Sequence, residues 1–197
     1  FHRDVLESLR QPIEDGQITV ARAKYVSTFP CRFTLVAASN PCPCGYKNSP
    51  EKPCSCTPSQ IAMYKRKLSG PLMDRMDIFI EVPAVKYEKL ADESPGEQSG
   101  EMKNKIAQAR EIQKERFKNE RILTNAEMNI PEIKKYCRHD LPSQQLLKKY
   151  VNSFKLSARG YHRVLKVSRT IADLAGNENI LKDHIAEALA YRLKDGD

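Results

Sequence analysis

The sequence predicts an α/β part followed by an all-helical part. The first half holds short, β-rich apolar runs at Ile18–Ala21, Phe33–Ala38 and Ile78–Val82. The second half, after a polar stretch at 92–101, spaces its apolar residues at the period of amphipathic helices. Strands before helices, divided by a polar segment rich in Glu, Ser and Gly, indicate two successive domains.

The first part should open with a short helix from Asp4 to Leu9, which we expect to close at Pro12. Gly16 marks a turn, and Ile18–Ala21 should then enter a hairpin. A short basic helix is expected over Ile61–Leu68.

Two runs fit strands buried inside a parallel sheet. Phe33–Ala38 is continuously apolar, as expected of a strand covered on both faces. Asn40 follows it, at the strand end where open α/β sheets bind ligands. Ile78–Val82 is a second such strand, ended by Pro83.

We therefore assign residues 1–91 to the first domain, 92–101 to a linker and 102–197 to a helical domain. Thr124 and Ser157 are candidate N-caps, and Gly176 should follow the fourth helix of this domain. The predicted helices cover residues 102–119, 131–138, 143–154, 158–175 and 181–193.

The net charge of +8 is concentrated in residues 131–169, which carry ten basic and two acidic residues. Such a block suits a phosphate-bearing ligand, but it also fits a solvated helical surface. No apolar run is long enough to span a bilayer and the start does not resemble a signal peptide, so we expect a cytoplasmic protein without a membrane partner. The first residue is Phe1 rather than Met, as in an excised fragment.

Four of the six cysteines lie in the proline- and glycine-containing loop 41–58. Cys42, Cys44, Cys54 and Cys56 are spaced C-x-C-x9-C-x-C, and four thiolates this close can hold one tetrahedral Zn²⁺. The usual zinc spacing is C-x2-C, so a loop of free or redox-active thiols is the alternative.

Four segments occur in an order that resembles a known family. They are Leu9–Gly16 leading into Ile18–Val20, Phe33–Asn40 followed by Pro41-Cys42-Pro43-Cys44-Gly45, Leu68–Asp77, and Leu156–Arg163. Together they resemble the magnesium-chelatase-like AAA+ ATPases, over essentially the whole chain. The combination of the Cys-rich loop with the run from Ser69 to Arg75 points to the ComM/YifB branch rather than to a true chelatase. The resemblance implies the C-terminal half of an AAA+ αβα core plus a helical lid domain.

The resemblance also implies roles in ATP hydrolysis. Asn40 matches sensor 1, which orients water or contacts the γ-phosphate, and Arg75 matches the arginine finger offered to a neighbouring subunit. Arg159 matches sensor 2, and Arg163 lies one turn later on the same face. From the residues alone, Asn40 could simply cap a loop, and Arg75 could pair with a nearby aspartate.

Arg22 and Lys24 fall where related helicases carry a hairpin that enters the pore of a hexamer. A basic hairpin tip there is suited to gripping a nucleic-acid backbone. Hairpin tips are also often basic for solubility alone.

The chain contains neither G-x-x-x-x-G-K-[ST] nor an apolar strand that ends in paired acidic residues. In the family both motifs lie upstream, so we expect this chain to lack the site for ATP with Mg²⁺ and to be inactive alone. The leading hypothesis is part of a hexameric DNA helicase or branch-migration motor, linked through the ComM branch to competence. The alternatives are a chelatase-type ATPase that remodels a protein partner and a zinc-stapled nucleic-acid-binding module.

Overall fold

The computed structural model describes residues 2–50, 52–68, 70–83, 85, 98–153 and 156–192. The chain divides into two compact units, Phe1–Met76 and Asp77–Asp197. Among the described residues, none of the helices is both long enough and apolar enough to cross a membrane.

The first unit opens with two short helices, α1 (Arg3–Ser8) and α2 (Arg10–Asp15). The prediction that the first helix closes at Pro12 is wrong in detail, because Pro12 lies in the first turn of α2. There its missing N–H costs no intrahelical hydrogen bond. Gly16, with φ of 62°, ends α2 in the left-handed conformation that glycine adopts without a steric penalty.

The predicted hairpin is confirmed. Strand β1 (Gln17–Arg22) pairs antiparallel with β2 (Tyr25–Pro30) through a two-residue loop. The register places Arg22 opposite Tyr25 at the tip. All twelve strand residues are exposed, so the hairpin is not buried within the first unit.

The two strands predicted to lie in a parallel sheet are not strands in this structure. Phe33–Ala38 has no regular secondary structure, and its Val36 is 88% exposed. Ile78–Val82 is likewise irregular, with Val82 at 82% exposure. A β-rich run becomes a strand only when a neighbouring strand takes its backbone hydrogen bonds, and in the described residues the sheet consists of β1 and β2 alone.

The remaining helices of the first unit are α3 (Pro58–Lys65) and α4 (Gly70–Met73). The basic helix predicted at 61–68 is confirmed as α3, with an earlier start. Thr57 begins it with a capping box, in which Thr57 Oγ1 accepts from Gln60 N at 3.3 Å and Gln60 Oε1 accepts from Thr57 N at 2.9 Å.

The second unit is helical, and all five helices predicted for the C-terminal part are present with shifted ends. They are α5 (Ser99–Arg116), α6 (Ile130–Tyr136), α7 (Leu141–Asn152), α8 (Ala158–Leu174) and α9 (Lys182–Ala190), with a 3₁₀ turn at Asn125–Glu127. Residues 92–97 of the predicted linker lie outside the described residues, and its last three residues already belong to α5.

Local signals account for the ends of α8. Ser157 Oγ accepts from Gly160 N at 3.0 Å, as expected of an N-cap. At the other end Gly176 has φ of 69°, and Asn177 N donates to Ala172 O at 2.8 Å, which closes the helix. The predicted cap and the predicted glycine are both confirmed.

Helix α8 lies at the centre of the second unit and packs against α5, α6 and α9. One of its faces is buried along almost its whole length, as its amphipathic sequence predicts. The buried apolar residues around it form one cluster: Phe117, Met128, Ile133, Cys137, Leu147, Leu156, Val164, Leu165, Ala172, Ile180, Ile185, Ala188 and Leu189.

Candidate functional site

The Cys-rich loop brings its four sulfurs together. Cys42 Sγ lies 3.4 Å from Cys44 Sγ and 3.6 Å from Cys54 Sγ, and Cys44 and Cys54 are 3.5 Å apart. The Sγ atom of Cys56 joins them, since all four lie within 4.8 Å of one another. All four cysteines are free thiols, and Cys42 is fully buried.

A turn after Cys42 makes this convergence possible. Gly45 N donates to Cys42 O at 3.0 Å, and Lys47 N donates to Cys42 Sγ at 3.3 Å. Gly45 has φ of 83°, a conformation that residues with a Cβ rarely adopt. The backbone therefore wraps around the first sulfur and already directs an N–H group at it.

The sulfur separations fit a tetrahedral metal. With Zn–S bonds of about 2.3 Å, the edge of a ZnS₄ tetrahedron is about 3.8 Å. The distances of 3.4 to 3.6 Å are within a few tenths of that edge. Together with the Sγ atom of Cys56, these sulfurs form a group that could hold a metal ion.

The metal-free thiols also titrate unequally. The backbone N–H of Tyr46 lowers the pKa of Cys44 to about 5, whereas burial raises the pKa of Cys56 to about 12. At neutral pH the cluster thus holds at least one thiolate, which provides a first ligand for a metal. Binding of Zn²⁺ would release the remaining protons.

Asn40 is exposed and precedes the first cysteine ligand by two residues. Its side chain lies against the turn of the Cys-rich loop, because a Cβ added at Gly45 would be 3.9 Å from both Cγ and Nδ2 of Asn40. The structure therefore places the sensor 1 candidate beside the turn that positions the sulfurs.

Arg75 follows α4, and its guanidinium is held by two groups of the first unit. One NH group donates to Pro71 O at 2.7 Å, and the other forms an ion pair with Glu14 in α2. Its side chain is only 10% exposed. The carboxylate of Asp77, two residues further along the chain, forms an ion pair with Arg163.

Arg159 and Arg163 lie one turn apart in the first half of α8. Arg159 is exposed, whereas the side chain of Arg163 is 17% exposed and forms an ion pair with Asp77. The expectation that both arginines face a nucleotide thus rests on the resemblance, and the structure shows Arg163 with a carboxylate partner.

Arg22 and Lys24 are both at the tip of the β1–β2 hairpin. Arg22 is the last residue of β1, and Lys24 is in the two-residue loop that follows. Both side chains are exposed.

The sequence did not predict a buried polar network in the second unit. Asp173, whose side chain is 0% exposed, accepts hydrogen bonds from Arg116, Asn125 and Arg169. Arg169 belongs to the basic block that also fitted a solvated helical surface, but it is 2% exposed and donates to two backbone carbonyls at 2.6 Å. The feature of the sequence that could have indicated this network is the four-residue spacing of Arg169 and Asp173, which places both on the apolar face of α8.

Comparisons with known proteins cover nearly the whole chain. Residues 1–90 match the family described as magnesium chelatase, subunit ChlI, and residues 96–192 match its C-terminal family. The chain is 45% identical over 193 residues to "Competence protein ComM" of Haemophilus influenzae, covering 98% of this chain and 37% of that protein. It is 39% identical over 196 residues to "Uncharacterized protein YifB" of Escherichia coli, covering 99% of this chain and 38% of that protein. The chain thus spans little more than a third of the length of these relatives.

Proposed function

The chain belongs to the magnesium-chelatase-like family, and from this premise we propose that it is part of an AAA+ ATPase that acts on DNA as a hexamer, in the manner of a ComM-type motor. The observation that carries the proposal is the 45% identity to a competence protein across 98% of this chain. Branch migration of DNA during natural transformation is the activity that we assign to the assembled protein, in the cytoplasm.

In this proposal each candidate residue has one task in ATP hydrolysis. Asn40 orients the attacking water, and Arg75 reaches the nucleotide of the next subunit, where its fixed positive charge stabilises the transferred phosphoryl group. Arg159, with Arg163 beside it, contacts the nucleotide of its own subunit. Because the 197 residues lack a Walker A motif, we expect no hydrolysis by this chain alone.

The test is ATP hydrolysis by the protein extended to the length of its relatives, with and without branched DNA. Replacing an arginine finger lowers turnover by about 10³-fold or more in GTPases, so Arg75→Ala should abolish DNA-stimulated turnover. Arg66→Ala is the matched control, because Arg66 is an exposed arginine of the same unit at the end of α3. Turnover that is indifferent to DNA would contradict the DNA motor and favour a chelatase-type role.

A mixing experiment tests whether Arg75 acts between subunits. Asn40→Ala and Arg75→Ala proteins are each expected to be inactive. If Asn40 acts in its own subunit and Arg75 in the next, mixed hexamers contain some interfaces with both native residues and regain part of the turnover. If both residues act within one subunit, every site has a defect and mixing restores nothing.

We further propose that Cys42, Cys44, Cys54 and Cys56 hold one structural zinc ion. The support is the convergence of four sulfurs within 4.8 Å of one another, three of them at separations close to the edge of a ZnS₄ tetrahedron, in a loop with little apolar core of its own. Elemental analysis of the purified chain should give one zinc per chain. Cys56→Ser should lower this content, whereas Cys31→Ser, outside the cluster, should not. A zinc-free, fully reduced native protein would refute the assignment.

A further inference from the structure

The second unit contains a cavity of about 490 Å³ at the C-terminal end of α8. Its walls come from the last turn of α5, the end of α6 and the turn 176–179 that follows α8. Small-molecule sites typically measure about 300–1,000 Å³, so the cavity has the size of such a site. Arg169 of α8 lines it and lies ten residues, or about 15 Å, beyond Arg159. The cavity is therefore separate from the nucleotide contact assigned to Arg159.

Cations dominate the lining of this cavity. Among the residues that the structure describes, four of its lining residues are basic and one is acidic: Arg116, Lys135, Arg138, Arg169 and Glu178. The side chains of Arg116 and Arg169 are 12% and 2% exposed, so they form the inner part of the cavity. Lys135 and Arg138 are exposed and lie at its rim. A concave surface with this excess of positive charge concentrates anions.

The inner part of the cavity carries more positive charge than its carboxylate balances. Arg116 Nη1 donates to Asp173 Oδ2 at 2.7 Å, and Arg169 Nε donates to Asp173 Oδ1 at 3.1 Å. Among the described residues no second carboxylate bonds to either guanidinium, so one carboxylate serves two cations. A buried charge is costly unless an ion of opposite charge is paired with it. An anion in the adjacent cavity would complete this pairing.

Arg138, at the rim, has no partner within the described part of the chain. It lies two residues beyond the end of α6, and its guanidinium forms neither a hydrogen bond nor an ion pair there. Basic side chains near helix C-termini often bond to the last carbonyls, but Arg138 does not have this role. Lys135, by contrast, is paired with Glu120 at 2.8 Å. Since a planar guanidinium matches two oxygens of one phosphate group, Arg138 is suited to contact a phosphate.

We propose that this cavity binds a small ligand with adjacent phosphate groups, either free pyrophosphate or the diphosphate of a nucleotide. The inner guanidinium pair balances one negative charge of the ligand, and Arg138 contacts another. A bounded cavity at three helix ends favours a small anion over an extended nucleic-acid backbone. The proposal goes beyond the DNA-directed function and does not depend on it, because none of these residues is assigned a task in ATP hydrolysis.

The first measurement is titration calorimetry of the 197-residue chain with pyrophosphate in about 0.1 M salt. An exposed ion pair contributes up to about fivefold in affinity, so Arg138→Gln should weaken binding about fivefold. Arg110→Gln is the matched control and should keep the affinity. Arg110 is exposed on α5, about 200° around the helix from the lining residue Ile112. Titrations with ADP and with oligothymidylate identify the source of the phosphate groups.

Glu178 provides a test of the opposite sign. Its carboxylate lines the cavity and repels an anion, so Glu178→Gln should strengthen pyrophosphate binding about two- to fivefold. Glu101→Gln makes the same change of charge at an exposed site and should leave the affinity unchanged. Glu101 lies about 16 Å along α5 from Ile112, which exceeds the Debye length of about 10 Å in 0.1 M salt. Partial unfolding cannot strengthen binding, so Glu178→Gln keeps the test decisive if Arg138→Gln is unstable.

A rescue experiment tests whether the ligand reaches the inner guanidinium groups. Asp173→Asn leaves Arg116 and Arg169 without their carboxylate. A ligand that binds only the folded state raises the urea midpoint, and it does so more when it binds more tightly. Pyrophosphate should therefore raise the midpoint of Asp173→Asn more than that of the wild type. Equal shifts in the two proteins would contradict the contact with the inner pair.

Four further results would overturn the proposal. They are no binding of pyrophosphate or ADP, equal affinities of Arg138→Gln and Arg110→Gln, loss of binding in Arg159→Gln but not in Arg138→Gln, and binding through Arg138 of the oligonucleotide alone. The third result would place the ligand at the other end of α8, and the fourth would identify a nucleic-acid contact. DNA-stimulated ATP hydrolysis is measured with other variants, so the DNA-directed function and this site can fail separately.

Discussion

Replacing Asp173 by Asn should destabilise the second unit strongly. The Asp173 carboxylate is fully buried and lies between the guanidinium groups of Arg116 and Arg169. The substitution keeps the size of the side chain but leaves two buried cations without a counter-charge. It also points an amide donor at groups that can only donate.

Removing one partner of a buried ion pair costs about 3–5 kcal/mol, because the other charge remains desolvated. Burial lowers the pKa of Arg169 and the neighbouring Asp173 raises it, so the carboxylate offsets part of the cost of burying the guanidinium charge. With a urea m value of about 1–3 kcal/mol/M, a loss of 3 kcal/mol moves the midpoint by roughly 1–3 M. A loss of about 3 kcal/mol is a large part of the unfolding free energy of about 5–15 kcal/mol that is typical of a whole domain.

Urea unfolding followed by far-ultraviolet circular dichroism is the assay, since the longest helices, α5 and α8, belong to the second unit. Glu111→Gln is the control, because it makes the same carboxylate-to-amide change in an exposed ion pair with Lys114 on α5. Exposed pairs contribute about 0–1 kcal/mol. An Asp173→Asn midpoint no lower than that of Glu111→Gln would refute the importance of the network.

Three further predictions concern the second unit. Hydrogen bonds from Lys135 and Tyr136 lower the pKa of Glu120. Its stabilising effect is therefore present above its ordinary pKa and is lost as the pH falls through the folded value, so Glu120→Gln should flatten the acid limb of a plot of urea midpoint against pH. Burial raises the pKa of Cys137 to about 12, and we expect this thiol to resist alkylation until the unit unfolds, as mass spectrometry would show. Ser157→Ala removes the N-cap of α8 and should cost about 0.5–2 kcal/mol in urea unfolding, whereas Ser157→Asp should cost less.

The helices of the second unit could be predicted because their signals are local. An apolar face, a capping side chain and a terminal glycine all lie within the segment that they define, as at Ser157 and Gly176. Where no local signal marks a helix end, the predicted boundary differs from the observed one. Helix α5 was predicted from residue 102 to 119 and runs from Ser99 to Arg116.

The two strand predictions were wrong because a strand depends on a partner elsewhere in the chain. Phe33–Ala38 and Ile78–Val82 have the composition of buried strands, but composition does not supply a partner. Only the hairpin, whose two strands are joined by a short loop, could be inferred from one segment of the chain. The grouping of the four cysteine sulfurs could be predicted for the same reason, since all four come from fifteen consecutive residues. The Asp173 network joins α5, α8 and the 3₁₀ turn, so no single segment revealed it.

The ion pairs of the candidate arginines bear on how such a motor could be controlled. Arg75 forms an ion pair with Glu14, and Arg163 forms one with Asp77. Both guanidinium groups therefore already have a carboxylate of the same unit as a partner. A guanidinium cannot be deprotonated near neutral pH, so only a stronger anion can replace such a partner. The phosphates of a nucleotide carry more charge than one carboxylate. In the motor proposed above, Arg75 would leave Glu14 when a neighbouring nucleotide is presented, and Glu14→Gln should lower the barrier to that exchange without changing Arg75 itself.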